Sequence, residues 1–493
     1  MKSIHFIDMK KVCLYITLGL AMGSAGCNKF LDKDPDVRAQ LNSPEKVAQL
    51  IATAYPNMNH WTFTEAASDN ASDRTAGSTE FESQDAYMFR DVIRANQQDS
   101  PEGYWGACYQ AVAAANEALS AIAKAPNQAA YSAQKGEALV ARAYSHFMLV
   151  NLFSKFYNAT TAKNDPGIPY VTEPENVVVK QYERKTVQYV YDMIKKDLTE
   201  GLPLIKDEKY SVPSYHFTRA AAHAFAARYY LYIKQYDSVL THTAQVFSDA
   251  DVATRLRKWN TSYQNMTRLE LMSTYQKATE PANLLLAETV SLYARYVGSS
   301  RYAFSPANRP LIVRVPAIYS DTSKAEYAFN FQVYGSEYVN VIPKVNEYFV
   351  RASVNAEIGW PYVMTPLFTM EEALFNRVEA MIAKGNSNGA VGLLNAWLST
   401  RISGYNPVKY TLTAQKATDY YGKDVASSLK DLTLAYKRAE FLHEGMRWFD
   451  IIRNDLAVTH TTNNGQTYRL DANHRYFQIP QSAVLSGVEL NPR

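Results

Sequence analysis

Polar and apolar positions repeat at helical spacing over most of this chain. Trp105, Cys108, Val112, Ala115, Leu119 and Ile122 step by three and four residues, which predicts one long amphipathic helix. Ala138, Ala141, Ser145, Met148 and Leu152 form a second stripe from smaller residues, so a partner helix can approach it closely. Thr186 leads into Val187, Val190, Tyr191, Ile194 and Leu198, and Thr218 leads into an alanine-rich segment ending at Tyr232. Asp237 starts a shorter helix through Val239, Leu240 and Thr243. Upstream, Ser43 before Pro44 is an N-cap with a first-turn proline; Val47, Leu50, Ile51 and Ala54 follow, and Pro56 stops the run.

The C-terminal third repeats the theme. Thr369 and Glu372 spell a capping box ahead of Leu374, Val378, Met381 and Ile382. A turn from Gly385 to Gly389 leads to Ala390, Val391, Leu394 and Leu398. Leu432, Ala435, Ala439 and Leu442 make a last stripe, closed by Gly445. Helix pairs joined by short turns predict a mainly α fold, a tetratricopeptide-like superhelix of helical hairpins, although no clean self-match at the usual repeat length is present. Two stretches, 57–103 and about 249–360, lack the helical stripe. They are rich in aromatics, Ser, Thr, Asn and Pro, with short strand-like runs such as Tyr338 to Val341. These irregular, aromatic-rich insertions with a few short strands are where a ligand is expected, since binding residues concentrate on loops held by a rigid scaffold.

The first residues fix the compartment. Lys10 and Lys11 precede an apolar run from Val12 to Ala21, then small residues from Gly23 to Gly26, then Cys27. That order predicts a secretory signal peptide over 1–26, too short in its apolar part to span a bilayer. A Cys directly after the small residues predicts lipidation of Cys27, and a multiply acylated residue would be an adequate anchor. Cys13 leaves with the leader, which leaves Cys108, on an apolar stripe, as a buried small hydrophobe. The remainder, 27–493, reads as a single domain.

Composition narrows the function. The chain is 47% hydrophobic and 20% charged, with 51 Lys and Arg against 48 Asp and Glu. This balance argues against nucleic acid, whose binding needs basic patches. Tyrosine is abundant, 36 in 493 residues, and its flat face and hydroxyl suit sugar recognition, although most of these rings are expected to pack helices. Motifs for catalysis fail. His443-Glu444 begins like a zinc-protease signature, but Arg447 stands at the second His position. No phosphate-binding loop and no zinc-spaced cysteines occur, so no cofactor is expected. Adjacent Glu371 and Glu372 point to different sides of a helix and do not form a catalytic pair. Arg447, Asp450 and Arg453, three apart, with Trp448 and Phe449 turned inward, read as a buried ion-paired cluster that locks the last helix.

Several blocks, in order, carry a resemblance. Cys27 is followed by Asn28-Lys29-Phe30-Leu31-Asp32-Lys33-Asp34-Pro35. The Trp105 to Leu119 helix holds Tyr109 and Asn116; Glu137 to Tyr157 holds Arg142-Ala143-Tyr144; Asp165-Pro166-Gly167-Ile168-Pro169 follows. Later come Gly359-Trp360-Pro361-Tyr362, Pro366 to Ala380, Asn395 and Arg401, and a block from Lys437 to Arg453 with Arg438, Glu440, Glu444-Gly445 and Arg447-Trp448-Phe449-Asp450. Tyr476, Ile479-Pro480 and Asn491-Pro492 complete it. The chain thereby resembles the SusD/RagB family of nutrient-binding outer-membrane lipoproteins. It departs at Met446, where His is commoner, and at Val378, where Ala is.

The resemblance implies a surface-exposed lipoprotein that captures an oligosaccharide, or a peptide in the RagB branch, and delivers it to a SusC-like TonB-dependent transporter without chemistry. A helical glycoside hydrolase and a helical-repeat adaptor remain as alternatives. A groove lined with exposed aromatics would argue against the adaptor. Trp61, Asp73 and Arg74 in the first insertion and Tyr296, Arg301 and Tyr302 in the second are the candidate ligand residues. Trp61 and Tyr302 are expected to act as open stacking platforms, replaceable by Ala without loss of stability. Trp105 is set aside as core.

Overall fold

The computed structural model describes residues 41–94, 97–175, 180–305, 307–334 and 339–493; the leader and Cys27 lie outside them. Its helices of seven or more residues are α1 (Pro44–Ile51), α2 (Trp61–Ala67), α3 (Phe81–Tyr87), α4 (Pro101–Lys124), α5 (Ser132–Phe153), α6 (Val187–Gly201), α7 (Arg219–Tyr232), α8 (Tyr236–Ala244) and α9 (Arg268–Tyr275). In the C-terminal third follow α10 (Met370–Ala383), α11 (Ser387–Leu398), α12 (Ala414–Tyr421), α13 (Val425–Glu440) and α14 (Met446–Arg453). Sequential helices pack in pairs: α4 on α5, α5 on α6, α7 on α8, α10 on α11 and α12 on α13. The fold is mainly α, built from helical hairpins.

Local chemistry sets these helices. The side chains of Ser43, Thr186 and Thr218 each accept a hydrogen bond from the third residue on, which satisfies a first-turn N–H as the sequence predicts. The close approach of α5 to α6 is made by Gly136, on the face opposite the predicted small-residue stripe: a Cβ on Gly136 would lie 3.0 Å from the Gly201 carbonyl oxygen, and one on Gly201 would lie 2.9 Å from that of Gly136. Across the same contact the Arg142 guanidinium grips Asp197 with two bonds of 2.7 Å. One apolar core runs through the helices from Val47 to Val488.

Two local predictions need correction. At the start of α10 the Thr369 hydroxyl accepts from the Glu372 N–H, but the Glu372 carboxylate turns to Arg228, 2.5 Å away, so half of the capping box is made. The reciprocal box forms at Thr267 and Glu270, the start of α9, inside a stretch read as irregular. The stretch 57–103 is also more helical than expected. Every residue of α2 is buried, so it shows no polar face to alternate with its apolar one.

The strands come mostly from the second insertion. β1 (Ser72–Asp73) pairs with β3 (Tyr302–Ala303), and β2 (Asn283–Val290), β7 (Gly359–Thr369) and β6 (Glu347–Arg351) form an antiparallel sheet in the order β2-β7-β6. Short hairpins join β4 (Gln332–Tyr334) to β5 (Val339–Val341) and β8 (Thr459–Thr461) to β9 (Thr467–Arg469). β7 runs directly into α10, so the sheet is fixed to the helical scaffold by one continuous stretch of backbone.

The C-terminal charges are buried and paired. Lys437 bridges Glu379 and Asp450 at 2.9 and 2.7 Å, and Arg453 meets the same two carboxylates at 2.8 and 3.0 Å. Arg447 turns elsewhere and holds Asp69, just beyond α2, with bonds of 2.8 and 2.9 Å. Trp448 and Phe449 are buried as expected.

Candidate ligand cleft

The β1–β3 pair brings four of the six candidate residues together, since Asp73 lies opposite Tyr302. They form a fastening between the two insertions. Arg301 holds the Asp73 carboxylate with bonds of 2.7 and 2.9 Å, and the Asn463 N–H adds a third at 3.1 Å. Arg74 donates to the carbonyls of Ser300, Val297 and Phe304. Tyr302 is 2% exposed, packed 4.9 Å from Tyr87. Trp61 is also 2% exposed, edge-on to Tyr293 in a small cluster with Val297, Val341 and Val345. Tyr296 is half-buried beside them. Trp61 and Tyr302 are therefore core residues and present no open face, and the polar groups of Asp73, Arg74 and Arg301 already bond one another or the backbone. Trp61→Ala is expected to lower unfolding free energy by about 3 kcal/mol, the low end for a large aromatic because its cluster is small. An unchanged urea midpoint would return Trp61 to the surface.

Open aromatic surface lies instead on the sheet. Residues opposite one another in an antiparallel pair share a face, and side chains two apart along a strand do as well. In β6 and β7, Tyr348 lies opposite Tyr362 and Val350 opposite Trp360; between β2 and β7, Glu288 lies opposite Met364. One face thus carries, from body to tip, Glu288 with Met364, Tyr348 with Tyr362, and Val350 with Trp360. Successive pairs are about 7 Å apart, two residues of strand rise. Tyr348 and Tyr362 stack with centroids 5.7 Å apart and planes 21° apart. Trp360 is 55% exposed, Val350 46% and Tyr348 40%.

The inner end of this ladder opens into a cleft of about 670 Å³. Tyr362, Met364 and Glu288 form one wall, Gln110 of α4 and Thr53 the other, and Tyr215 and Asn57 the rim. The volume falls in the range of small-molecule sites. Partial burial, then the Glu288 carboxylate at its hydroxyl, push the Tyr348 phenol above its ordinary pKa, so it stays a hydrogen-bond donor. Flat rings beside a carboxylate, amides and a hydroxyl can cover the C–H face of a sugar while bonding its hydroxyls. Sequence reading missed this group. Trp360 and Tyr362 were quoted for a family pattern, yet the alternation of Trp360, Tyr362 and Met364 was itself the signal of a strand with one apolar face.

Residues 29–231 match a SusD-like family model described as starch-binding associating with outer membrane. No curated protein matches the chain. A SusD superfamily protein from Bacteroides thetaiotaomicron is similar over 92% of this chain and 100% of its own, at 17% identity and a TM-score of 0.65. One from Bacteroides fragilis is similar over 91% and 98%, at 17% identity and 0.63. A SusD-like carbohydrate binding protein from Bacteroides vulgatus is similar over 90% and 97%, at 15% identity and 0.64. At these identities the structural likeness speaks for the fold.

Proposed function

We propose, on the premise that this chain belongs to the SusD/RagB family, that it captures an oligosaccharide on the aromatic ladder of β6 and β7 and passes it on unaltered. The observation that carries this reading is the ladder itself. Four large side chains stand in register on one sheet face, and three of them are 40–55% exposed where a monomer would ordinarily bury them. The same exposure argues against a helical adaptor that binds protein through its scaffold. Among the described residues lining the cleft, Glu288 is the one carboxylate, whereas glycoside hydrolysis uses a pair flanking the scissile bond.

Trp360→Ala and Tyr362→Ala are each expected to weaken glycan binding about tenfold, or about 1.4 kcal/mol, with little change in melting temperature, because both rings are partly in solvent already. A glycan array beside a peptide panel checks the ligand class. Peptide binding with no glycan signal would move the chain to RagB-like recognition. New reducing ends on incubation with glycan would make it a hydrolase.

Delivery and anchoring complete the proposal. No helix among the described residues is long and apolar enough to cross a membrane. Lipid on Cys27 would hold the protein at the outer membrane, where a SusC-like TonB-dependent transporter would receive the ligand. Cys27→Ala is expected to shift the protein from the membrane fraction to the soluble one. Retention of that variant on the cell surface would end the lipoprotein reading.

A further inference from the structure

A second cleft, of about 360 Å³, lies on the other flank of α4. Its floor on α4 is the edge of Trp105 with Tyr109 and Val112, and Tyr182, Glu173 and Glu175 wall it opposite. Trp105 is core, as the stripe predicts, yet its edge and the tilted Tyr109 ring, 5.0 Å away, reach this floor. Ser482 and Ser486 add hydroxyls at the rim. Along the helix the cleft extends from Trp105 to Asn116, about 17 Å at helical rise.

The two clefts meet at Gln110, which lines both. The ridge between them is low. Gly106 lines the second cleft and Ala107 the first, and a Cβ added at Gly106 would meet nothing within 4 Å. A flexible chain on the ladder therefore has an open path over α4, past the Gln110 amide, onto Tyr109 and Tyr182. We infer that the second cleft is a further sugar-binding stretch, and that the ligand is a neutral oligosaccharide long enough to occupy both clefts at once. This rests on the proposed glycan-binding role of the ladder.

Neutrality follows from the charges. No Lys, Arg or His is among the described residues lining either cleft, while Glu288 faces the first and Glu173 and Glu175 the second. Arg142, below Asn116, is paired with Asp197, and Lys180, 5.4 Å from the Tyr182 ring centroid, keeps its charge at the edge of the second cleft but stands against the two carboxylates of Glu173 and Glu175. A uronate or sulfated chain would bring like charge onto three carboxylates. A neutral chain offers hydroxyls that carboxylates and amides bond well.

The test uses full-length protein and calorimetric titration with hexamers and dimers of neutral glucan, xylan and mannan, beside polygalacturonate and heparin. Gly106→Leu obstructs the ridge without crowding the fold, since the space is open and an interior helical glycine is removed. It is expected to weaken hexamer binding about tenfold and leave dimer binding unchanged. Tyr182→Ala, on the far wall, should show the same length-selective loss. Trp360→Ala should weaken both lengths. If Gly106→Leu and Tyr182→Ala bind the hexamer as wild type does while Trp360→Ala does not, the second stretch is refuted and the ladder stands. Preference for polygalacturonate or heparin refutes neutrality. If Trp360→Ala leaves both lengths unaffected, the ladder reading falls and this inference with it.

Discussion

Arg401→Ala is expected to destabilise the fold by about 3–5 kcal/mol, the scale measured when one partner of a buried ion pair is removed. Arg401 is fully buried, at 0% exposure. Its Nε donates to Glu440 Oε2 at 2.6 Å, and its Nη2 donates to Glu371 Oε1 at 2.9 Å and Glu440 Oε1 at 3.0 Å. Its Nη1 donates to the Arg257 carbonyl oxygen and the Thr400 hydroxyl. Arg257 in turn bonds the second oxygen of Glu371 at 2.7 Å, and Trp397 donates to Glu440. Without Arg401, Glu371 keeps Arg257 and Glu440 keeps the indole N–H, so two carboxylates stay in the interior with their charge less balanced. Urea denaturation of Arg401→Ala measures the loss. The double variant Arg401→Met with Glu440→Leu separates charge from packing, because an apolar replacement of a whole pair is often neutral. A single variant as stable as wild type would show that Arg401 and its network contribute no net stability.

This network marks what the sequence could and could not say. Glu371, Arg401 and Glu440 all lie in blocks that carried the family resemblance, and Glu371 and Glu372 were expected to face apart. They do: Glu371 meets Arg257 and Arg401, and Glu372 meets Arg228. The partners lie 30 to 144 residues away in sequence, and Arg257 comes from a segment read as loop, so the pairing was not legible. Helices with a stripe and a cap were legible because both signals are local. α2 was not, because burial on every side erases the periodicity. The ligand site divides the same way. The insertions are where the sequence points for a ligand; Tyr348, Val350 and Trp360 of the proposed ladder fall in the second, and Tyr362 and Met364 lie just past its end. Exposed and buried aromatics look alike in sequence, so the sequence reading favours Trp61 and Tyr302 over Trp360 and Tyr362. Only the strand register, with Tyr348 opposite Tyr362, tells the two kinds apart.

Acidification from pH 7 to 4.5 is expected to reduce stability by about 3 kcal/mol or more, chiefly through buried histidines. His146 is fully buried, and its hydrogen bonds fix a neutral tautomer. Nδ1–H donates to the Arg142 carbonyl oxygen at 2.9 Å, and Nε2 accepts from the Val171 N–H at 3.0 Å. A proton on Nε2 would face that N–H. Burial lowers its pKa to about 3, and burial, then the charge of Arg228, bring His60 to about 3 as well. The unfolded chain takes up these protons near pH 6.5 and the folded chain only near 3. Between those values the unfolded state binds more protons, so stability is present above pH 6.5 and is lost as pH falls. At pH 4.5 each ring accounts for about 2.5 kcal/mol. Burial of His443, then Lys344, lowers that pKa too and adds in the same direction. Asp99 opposes them. Burial raises its pKa to about 6 despite bonds from Ser291 and Leu292, so the folded state takes its proton first and regains about 2 kcal/mol over the same interval. His146→Gln isolates one contribution, since Gln can donate to the Arg142 carbonyl and accept from Val171 but does not titrate. Its stability at pH 7 should be at or below that of wild type, and its loss on acidification smaller by about 2.5 kcal/mol. Urea midpoints at the two pH values measure this, and equal shifts in wild type and variant would show that His146 is not part of the acid response.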